Sequence, residues 1–333
     1  MKIAIIGGAG FVGSHLTRAY LNAGHDVFVV DSLVCSTHQA LDSRARFYHM
    51  DMRDGKLQAI LQSERPDLVS YHAILREQIL PCESSLLDAD IHIRGLLNVL
   101  ESCVSAQVSK LIFASGGNSL YRGCSLQELG TARPISEEIE PCPLRPRDIN
   151  RIAGEWYIRY YARQYALPYL ILRYADIYGE IDVAHASHPL TSFLAKLSLR
   201  SRPAIRGGDQ NVRDHIFIDD VVRANMCALE RGYNETLHIS TAQGYSIRQF
   251  YQAASRLLQC DIPPLTISAP FAEPDAVILD NRRAQRILNW QPEVGLPTGV
   301  QLAAQRLLSQ KTTGALLPVN IVQENGTRSA VLV

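Results

Sequence analysis

A glycine-rich segment near the start of the chain constrains its fold more than any other feature. Residues 7–13 read Gly-Gly-Ala-Gly-Phe-Val-Gly, between an apolar run at 3–6 and a helical pattern at 14–22. Glycines at this spacing let the backbone approach a pyrophosphate, whose charge then lies on the free N–H groups of the helix start. We therefore predict a dinucleotide site here. Its residues are Gly7, Gly10, Phe11, Val12 and Gly13.

Short apolar runs alternate with helical patterns through the first half of the chain. The runs lie at residues 3–6, 26–30, 46–50, 68–73, 110–115 and 169–174. Alternation of this kind is typical of β-α-β units, whose right-handed crossovers build a parallel sheet. We predict an α/β chain with a Rossmann-type doubly wound parallel sheet.

The alternation breaks near residue 176, where prolines and a Gly207-Gly208 turn follow. We predict that a smaller, interleaved C-terminal domain binds the substrate. Residues 1–175 and about 215–242 form the dinucleotide-binding domain in this division. A strand at 215–218 and the helix after it return the chain to this domain. Residues 176–214 and 243–309 form the substrate domain, and residues 310–333 form a tail without periodicity.

Charge and cysteine content exclude several classes of function. The 33 basic residues balance 33 acidic ones, so no global field attracts nucleic acid or an anionic membrane. No stretch approaches the roughly 20 apolar residues that span a bilayer. Seven cysteines without a C-x-x-C pair favour a reducing compartment, with neither disulfides nor structural zinc. We expect a cytoplasmic protein that binds a small molecule and no metal, nucleic acid or membrane.

Acidic residues follow the second and third predicted strands. Asp31 lies about 20 residues beyond the glycines, where a carboxylate can accept both adenosine ribose hydroxyls and repel a 2′-phosphate. This favours NAD over NADP, although a capping Asp in a loop is the alternative. Asp51 and Met52 are placed to contact the adenine. The alternative is that Asp51 is a turn residue whose hydrogen bonds are satisfied locally.

Several motifs resemble the extended short-chain dehydrogenase/reductase family, and its NAD-dependent nucleotide-sugar epimerases and dehydratases in particular. They are the glycine loop, Asp31, Tyr71-His72-Ala73, the LRYADIYG segment at 172–179, Arg213-Asp214 and the LNWQP segment at 288–292. The resemblance covers about residues 1–305. It implies that Tyr71, Ala73, Tyr174 and Ile177 also line the cofactor site. It also implies a homodimer, formed by the helix after the fourth strand and the helix that begins at Arg147.

The chain departs from this family at the residues that carry the family's chemistry. Arg147 and Arg151 stand where the family has the Tyr and the Lys that exchange a proton with substrate. A guanidinium with a pKa above about 12 cannot act as a general base near neutral pH, but Arg151 can still hydrogen-bond the nicotinamide ribose. Two interpretations stay open. The arginines form a catalytic anion clamp, or the site has decayed and they pair with neighbours such as Asp148 or Glu155.

Other candidates for chemistry lie on neighbouring segments. Ser115, Asn118 and Ser119 follow the fifth strand, where Gly116 replaces one family hydroxyl. We favour Ser115 as the catalytic hydroxyl, although a serine bonded to backbone fits equally. Further acid/base candidates, including two histidines that titrate near neutral pH or are simply solvated, are Tyr121, Asp176, His185 and His188.

Two replacements bear on the substrate. Asp176 stands where the family has an Asn beside the diphosphate, and Ala272 where it has an Arg. Both weaken diphosphate binding through charge, and Arg213 alone does not compensate. We therefore expect a small polar or anionic substrate rather than a standard nucleotide-sugar. Its predicted contacts are Asp176, His185, His188 and Arg213.

Three functions follow from these observations. The first, which we favour, is an NAD-dependent oxidoreductase of the epimerase/dehydratase type with reassigned acid/base residues, working in biosynthesis. The second is a non-redox enzyme for elimination, decarboxylation or cyclisation, with NAD structural or absent. The third is a regulator that senses a dinucleotide without catalysis.

Overall fold

Seven parallel strands form the sheet on which the candidate site is built. The computed structural model describes residues 1–34, 41–74, 85–125, 128, 133–179, 188–207, 210–267, 275–312, 319–322 and 328–331. The strand order is β10-β6-β5-β4-β1-β2-β3. The strands are β1 (Lys2–Ile6), β2 (Asp26–Asp31), β3 (Arg46–His49), β4 (Leu68–Tyr71), β5 (Lys110–Gly116), β6 (Tyr169–Tyr174) and β10 (Glu235–Ile239). The prediction of an α/β, Rossmann-type doubly wound sheet is confirmed.

The chain reverses direction across this sheet between β1 and β4. From β1 it proceeds outward to β2 and β3, and then returns to add β4, β5, β6 and β10 on the other side. Loops that leave the carboxyl ends of β1 and β4 therefore diverge and open a crevice, which is where ligands bind in folds of this type.

Helices cover both faces of the sheet and set the position of each site residue. The sheet unit contains α1 (Phe11–Asn22), α2 (Lys56–Glu64), α3 (Ser85–Ala89), a π-helix (Asp90–Arg94), α4 (Gly95–Ser105), a 3₁₀ turn (Asn118–Leu120), α5 (Pro146–Tyr165), α7 (Ile218–Ala228) and α9 (Arg282–Leu288). Fully buried leucines from α2 and α4 and Ile158 of α5 pack with the strand side chains in one core. Helix α5 begins with a proline, which is tolerated there because the first N–H groups have no partner within a helix.

The chain divides into two compact units. The first contains Met1–Ile177, Val212–Gly244 and Pro274–Glu293, and the second contains Tyr178–Asn211, Tyr245–Glu273 and Val294–Val333. The remaining helices are α6 (Pro189–Ser198), α8 (Ile247–Leu257) and α10 (Leu296–Thr312). The remaining strands are β7 (Asp176–Tyr178), β8 (Ala204–Arg206), β9 (Val212–Phe217), β11 (Gly244–Ser246), β12 (Leu265–Ile267), β13 (Ala276–Val277), β14 (Val319–Val322) and β15 (Arg328–Val331).

The strand expected at 215–218 corresponds to β9, which belongs to the unit that contains the large sheet and pairs with β13 in a smaller sheet. Two details of the predicted organisation differ from the structure. The seventh strand of the large sheet is β10, which the sequence analysis missed. Residues 274–293 belong to the sheet unit, because β13 pairs with β9 and Ile135 bridges Leu279.

Two absences hold for the part of the chain that the structure describes. None of its helices combines the length and apolarity needed to cross a bilayer. Nor does it contain a group of three or more His, Cys, Asp or Glu side chains arranged to hold a metal ion.

Candidate active site

The glycine loop forms a cradle that is too tightly packed against backbone to carry side chains at Gly7 and Gly13. Gly7 has φ +83°, and a Cβ added to it would lie 2.5 Å from the backbone nitrogen of Ala73. A Cβ on Gly13 would lie 2.3 Å from the carbonyl oxygen of Gly7. Helix α1 then starts after Gly10 with no side chain capping its first N–H groups. The loop thus presents bare backbone donors at a helix start, which fits a pyrophosphate.

Asp31 lies at the end of β2, beside this cradle. Its Oδ2 accepts a hydrogen bond from the backbone N–H of Ala9 at 3.0 Å, and its Oδ1 accepts one from Leu33 at 2.8 Å. These bonds fix the carboxylate next to the glycine loop. They are compatible with both interpretations of Asp31, as a loop-bonded residue and as a ribose acceptor, so its cofactor role stays a prediction.

Most of the other predicted cofactor residues lie at or just beyond the carboxyl ends of strands in the large sheet. Met52 and Tyr71 are buried, and the Tyr71 hydroxyl donates to the Met52 sulfur at 3.3 Å. Asp51 forms an ion pair with Arg53 at 2.6 Å, and hydrogen bonds from Arg53 lower the pKa of Asp51. Tyr174 is also buried, whereas Ala73, just after β4, and Ile177, in β7, are half-buried. Contacts of these residues with a cofactor stay predictions.

The arginine pair lies at the start of α5. Arg151 donates from Nη1 to Oδ1 of Asp148 at 3.0 Å, and the same oxygen accepts the hydroxyl of Ser119 at 2.7 Å. Burial lowers the pKa of Arg151, Asp148 opposes this effect, and the positive charge of Arg147 adds to it. The two guanidinium groups therefore lie close enough to interact. Arg151 does pair with Asp148, as the decayed-site interpretation predicts, but it does not pair with Glu155.

The side chain of Arg151 lies in the space that a side chain at position 116 would need. A Cβ added to Gly116 would lie 2.7 Å from Nη1 of Arg151 and 3.1 Å from Oγ of Ser119. A serine or threonine at 116 would displace the guanidinium. The replacements at 116 and 151, which are 35 positions apart, are therefore matched in shape: the larger side chain fills the space that the smaller one leaves.

Arg151 keeps unused donors. Its Nε is buried and makes no hydrogen bond within the described residues, and Nη1 makes the side chain's one observed bond, to Asp148. A guanidinium has several N–H donors in a planar fork. Buried donors without a protein partner indicate that a ligand or water supplies the acceptor.

Ser115 and Tyr121 belong to a second, fully buried network. Ser115 donates to Oε1 of Glu155 at 2.7 Å, and Arg173 binds both oxygens of Glu155, at 2.9 and 2.6 Å. Arg173 also donates to the Tyr121 hydroxyl at 2.6 Å. The single proton of that hydroxyl must therefore point to Nε2 of His238, 2.7 Å away.

The burial of this network indicates a structural role for it rather than a catalytic one. Burial raises the pKa of Tyr121 to about 12 and lowers the pKa of His238 to about 3. Ser115 and Tyr121 are each 3% exposed, and their protons are committed to protein acceptors. Catalysis by either would require breaking a buried bond, so the roles predicted for them stay predictions without geometric support. Asn118 is likewise buried and donates to the carbonyl of Asp214 at 2.7 Å, whereas Ser119 is exposed.

A buried carboxylate that was not among the predicted site residues lies beside the arginine pair. Asp88 of α3 accepts from Asn150 of α5 at 2.6 Å and lies 3.2 Å from Nδ1 of His92 in the π-helix. Burial alone would raise the pKa of Asp88, but His92, Asn150 and the charge of Arg147 hold it below its usual value. Asp88 and Asp148 thus balance the two guanidinium charges. An acidic residue followed four positions later by His is the available sequence signal.

The residues predicted to bind substrate are in different surroundings. Asp176 is exposed on β7, and Arg213 of β9 donates to the carbonyl of Val212 at 3.0 Å. His188 is not a solvated loop residue: it caps α6 by accepting from the N–H of Leu190 at 3.2 Å, and burial lowers its pKa to about 3. His185 and Ala272 lie outside the described residues.

Comparisons with known proteins agree on a family. The profile of the NAD dependent epimerase/dehydratase family matches residues 3–240. A putative UDP-glucose 4-epimerase of Methanocaldococcus jannaschii is 28% identical over 300 residues, covering 90% of this chain and 96% of that protein. The UDP-glucose 4-epimerase of Lactobacillus helveticus is 27% identical over 312 residues, covering 88% and 92%.

Solved structures give the same result for the fold. The crystal structure of a UDP-glucose 4-epimerase of Thermotoga maritima with UDP-glucose has a TM-score of 0.88 and 30% identity, and the match covers 93% of this chain and 100% of that one. The Thermus thermophilus UDP-glucose 4-epimerase in complex with NAD has a TM-score of 0.85 and 25% identity, with coverage of 95% and 100%.

Proposed function

Because the chain belongs to the NAD-dependent epimerase/dehydratase family, we propose that it is an NAD-dependent enzyme acting on a UDP-sugar that carries a carboxylate. In this proposal Arg147 and Arg151 bind the substrate carboxylate at the end of the crevice where the sugar reacts. The observation that carries the proposal is the guanidinium of Arg151, which lies over Gly116 with its Nε buried and unbonded among the described residues.

NAD is the cofactor of this family, and the cradle fits it. The tight turns at Gly7 and Gly13 bring the loop to the uncapped start of α1, whose free N–H groups suit a pyrophosphate, and Asp31 is bonded to the loop as a ribose acceptor in this proposal. A bound NAD would supply the hydride acceptor and donor for the substrate. The chain's own contribution is to hold the dinucleotide with backbone donors and to hold the substrate hydroxyl near a proton acceptor.

The choice of a UDP-sugar replaces the expectation that excluded nucleotide-sugars. That expectation depended on Asp176 and Ala272, of which the first is exposed and the second lies outside the described residues. The UDP-glucose 4-epimerases named above align over nearly their whole length with this chain, which favours a substrate of the same class.

The carboxylate follows from the arginines. A planar guanidinium fork matches the two oxygens of a carboxylate and makes hydrogen bonds that are stronger than neutral ones. Because Asp88 and Asp148 balance the charge of the pair, the selectivity comes from directed hydrogen bonds rather than from a net positive field. UDP-glucuronate and UDP-glucose, which differ by this carboxylate, are the matched probes.

The test compares binding of the two probes to wild-type protein and to the Arg151→Ala variant, by calorimetry in the presence of NAD. A charge-assisted hydrogen bond contributes about 1.5–3 kcal/mol, so we expect UDP-glucuronate to bind about 10- to 100-fold more weakly to the variant. UDP-glucose should change much less. The exposed Arg163 of the same helix supplies the control variant Arg163→Ala. Equal weakening of both probes would contradict the carboxylate assignment.

A non-catalytic dinucleotide sensor is the second candidate. The burial of Ser115 and Tyr121 and the charge balance around the arginines favour it, because both are expected of a site that no longer turns over. A sensor binds NAD but forms no NADH with either probe. Product formed without any NADH would instead favour the non-redox enzyme.

We also propose that two copies of the chain form a homodimer through α5. Four apolar or aromatic side chains lie on one exposed stripe of this helix, at spacings of 7, 8 and 11 residues. They are Ile149, Trp156, Tyr157 and Tyr160. A contiguous exposed stripe of this composition is typical of a protein interface.

A further inference from the structure

We propose that Ser119 and Asp148 form a proton relay that replaces the tyrosine lost at position 147. The relay rests on the proposed function, since it needs an NAD-dependent oxidation to serve. Ser119 is the hydroxyl that contacts the substrate, and Asp148 is the carboxylate that takes the proton behind it.

The geometry of the hydrogen bond is the first argument. The hydroxyl of Ser119 donates to Oδ1 of Asp148 at 2.7 Å, which is the usual length of an O–H···O bond. Ser119 is exposed in the 3₁₀ turn after β5, whereas Asp148 is 3% exposed at the start of α5. A carboxylate so buried exchanges protons with a substrate only through an intervening group, and Ser119 is that group.

The position of the pair is the second argument. Oγ of Ser119 lies 3.1 Å from the Cβ that Gly116 lacks, and Nη1 of Arg151 lies 2.7 Å from the same point. The serine, the guanidinium and the bare glycine therefore converge at the carboxyl end of β5. This is the sheet edge at which a doubly wound fold binds its ligand.

The surroundings of the carboxylate are the third argument. Arg151 donates to Oδ1 at 3.0 Å, and the first turn of a helix stabilises a negative charge. The Arg151 donor and the helix start thus lie beside the oxygen that accepts the Ser119 hydroxyl. Neighbouring charges on the packed helices are Arg147 and Arg151 on α5 and Asp88 on α3.

Alternative groups in the same region are occupied. Ser115 donates to Glu155, and the Tyr121 proton is held by His238. An arginine does not accept a proton near neutral pH. Ser119 with Asp148 is the hydroxyl–carboxylate pair that combines an exposed donor with a buried acceptor in this cluster.

The reaction step balances with NAD as the oxidant. The substrate O–H bond breaks and its proton goes to Oγ of Ser119, while the original Ser119 proton goes to Oδ1 of Asp148. The adjacent substrate C–H bond breaks with its electron pair, which leaves as a hydride to the nicotinamide. A secondary alcohol becomes a ketone, NAD is reduced, and Asp148 holds one proton. The reverse sequence reduces the ketone.

The experiment mixes NAD-loaded protein with UDP-glucuronate and follows the absorbance of the reduced nicotinamide. General acid–base groups contribute about 10²- to 10⁴-fold, so Ser119→Ala should slow NADH formation by about 100-fold or more. The dissociation constant of UDP-glucuronate should stay within about threefold, because binding uses the arginines. Ser119→Thr should recover most of the rate. Ser125, which donates to Glu128 at 2.8 Å in the same kind of pair, supplies the control Ser125→Ala.

Asp148→Asn should cause a similar loss, and the double variant should be no slower than the slower single variant, because the two groups act as one unit. Asp220 contacts Arg223 at the same i, i+3 spacing in α7, so Asp220→Asn controls for losing such a pair. A second readout is difference infrared spectroscopy: a protonated carboxyl band should appear with NADH in the wild type and be absent in Asp148→Asn.

The outcomes separate the relay from the proposed function. If wild-type protein forms no NADH with UDP-glucuronate or UDP-glucose, the proposed function fails and the relay with it. If wild type forms NADH and Ser119→Ala forms it within about threefold of that rate, the relay alone is overturned. The relay would also be overturned if the rate losses of Ser119→Ala and Asp148→Asn multiplied in the double variant.

Discussion

Adding a single methyl group at Gly116 tests whether that residue and Arg151 are matched. The new Cβ would lie 2.7 Å from Nη1 of Arg151, and ordinary contact begins at 3.4 Å, so the guanidinium must retreat by about 0.7 Å. The same nitrogen donates to Asp148 at 3.0 Å, and a retreat of this size stretches that bond to the limit of a hydrogen bond or beyond it.

The loss of stability depends on the hydrogen bond that is broken, on the overpacking, and on how far the Arg151 side chain can move away. A hydrogen bond to a charged group contributes about 1.5–3 kcal/mol, and overpacking costs about 1–3 kcal/mol. The guanidinium is the far end of a flexible side chain and 17% exposed, so part of this cost is relieved. We expect Gly116→Ala to lower the free energy of unfolding by about 1–2 kcal/mol.

A double-mutant cycle with Arg151→Lys isolates the contact. Lysine lacks the Nη1 atom that meets the new methyl group, so Gly116→Ala should cost less in that background, with a coupling energy of about 1 kcal/mol. Urea denaturation followed by circular dichroism measures all four proteins. Gly55 has open space around its missing Cβ, and Gly55→Ala is the control. Additivity within about 0.3 kcal/mol would refute the matched pair.

Three further predictions concern the cradle, a buried acid and the helix face. Gly13→Ala should weaken NAD binding by about 100-fold or more in fluorescence titration, because its Cβ would lie 2.3 Å from a backbone oxygen and the loop must open; unchanged affinity would contradict the cradle. Burial raises the pKa of Asp214 from 3.8 to about 7, so the folded state binds more protons between these values; stability should fall as pH rises from 4 to 7. In thermal melts of the Asp214→Asn variant, stability should fall less between pH 4 and 7. An unchanged slope of stability against pH would contradict the raised pKa of Asp214. Trp156, 65% exposed, should stabilise the dimer, so Trp156→Glu should give monomers in light scattering, while Arg256→Glu, at an exposed position of α8, should not.

The fold could be predicted from the sequence because its signals are local. Most of the predicted strands are largely apolar and buried, as strands inside a parallel sheet require, and the glycine loop combines a positive φ at Gly7 with close backbone approach. Strand β10 was missed because its sequence, Glu-Thr-Leu-His-Ile, is half polar and carries His238, whose ring is buried against Tyr121.

The site could be predicted only in part, because its geometry depends on contacts between distant residues. All residues of β5 are buried, so alternation along this strand does not separate Ser115 from the later hydroxyls. Glu155 is a carboxylate on the buried face of α5 and requires hydrogen-bond partners there. Arg173 and Ser115 are those partners, which the motif around Ser115 did not indicate. A charged Arg173 inside an apolar strand was the available signal, since a buried charge requires an opposite one.

Stopped-flow absorbance of the reduced nicotinamide is the most direct test of the central claim, that this chain uses NAD on a carboxylate-bearing UDP-sugar. NAD-loaded wild-type protein is mixed with UDP-glucuronate at a concentration that calorimetry has shown to saturate it. We predict that the NADH band appears, and that it is slowed in Ser119→Ala and unaffected in Ser125→Ala. Saturating UDP-glucuronate with no NADH band in the wild type would contradict the claim.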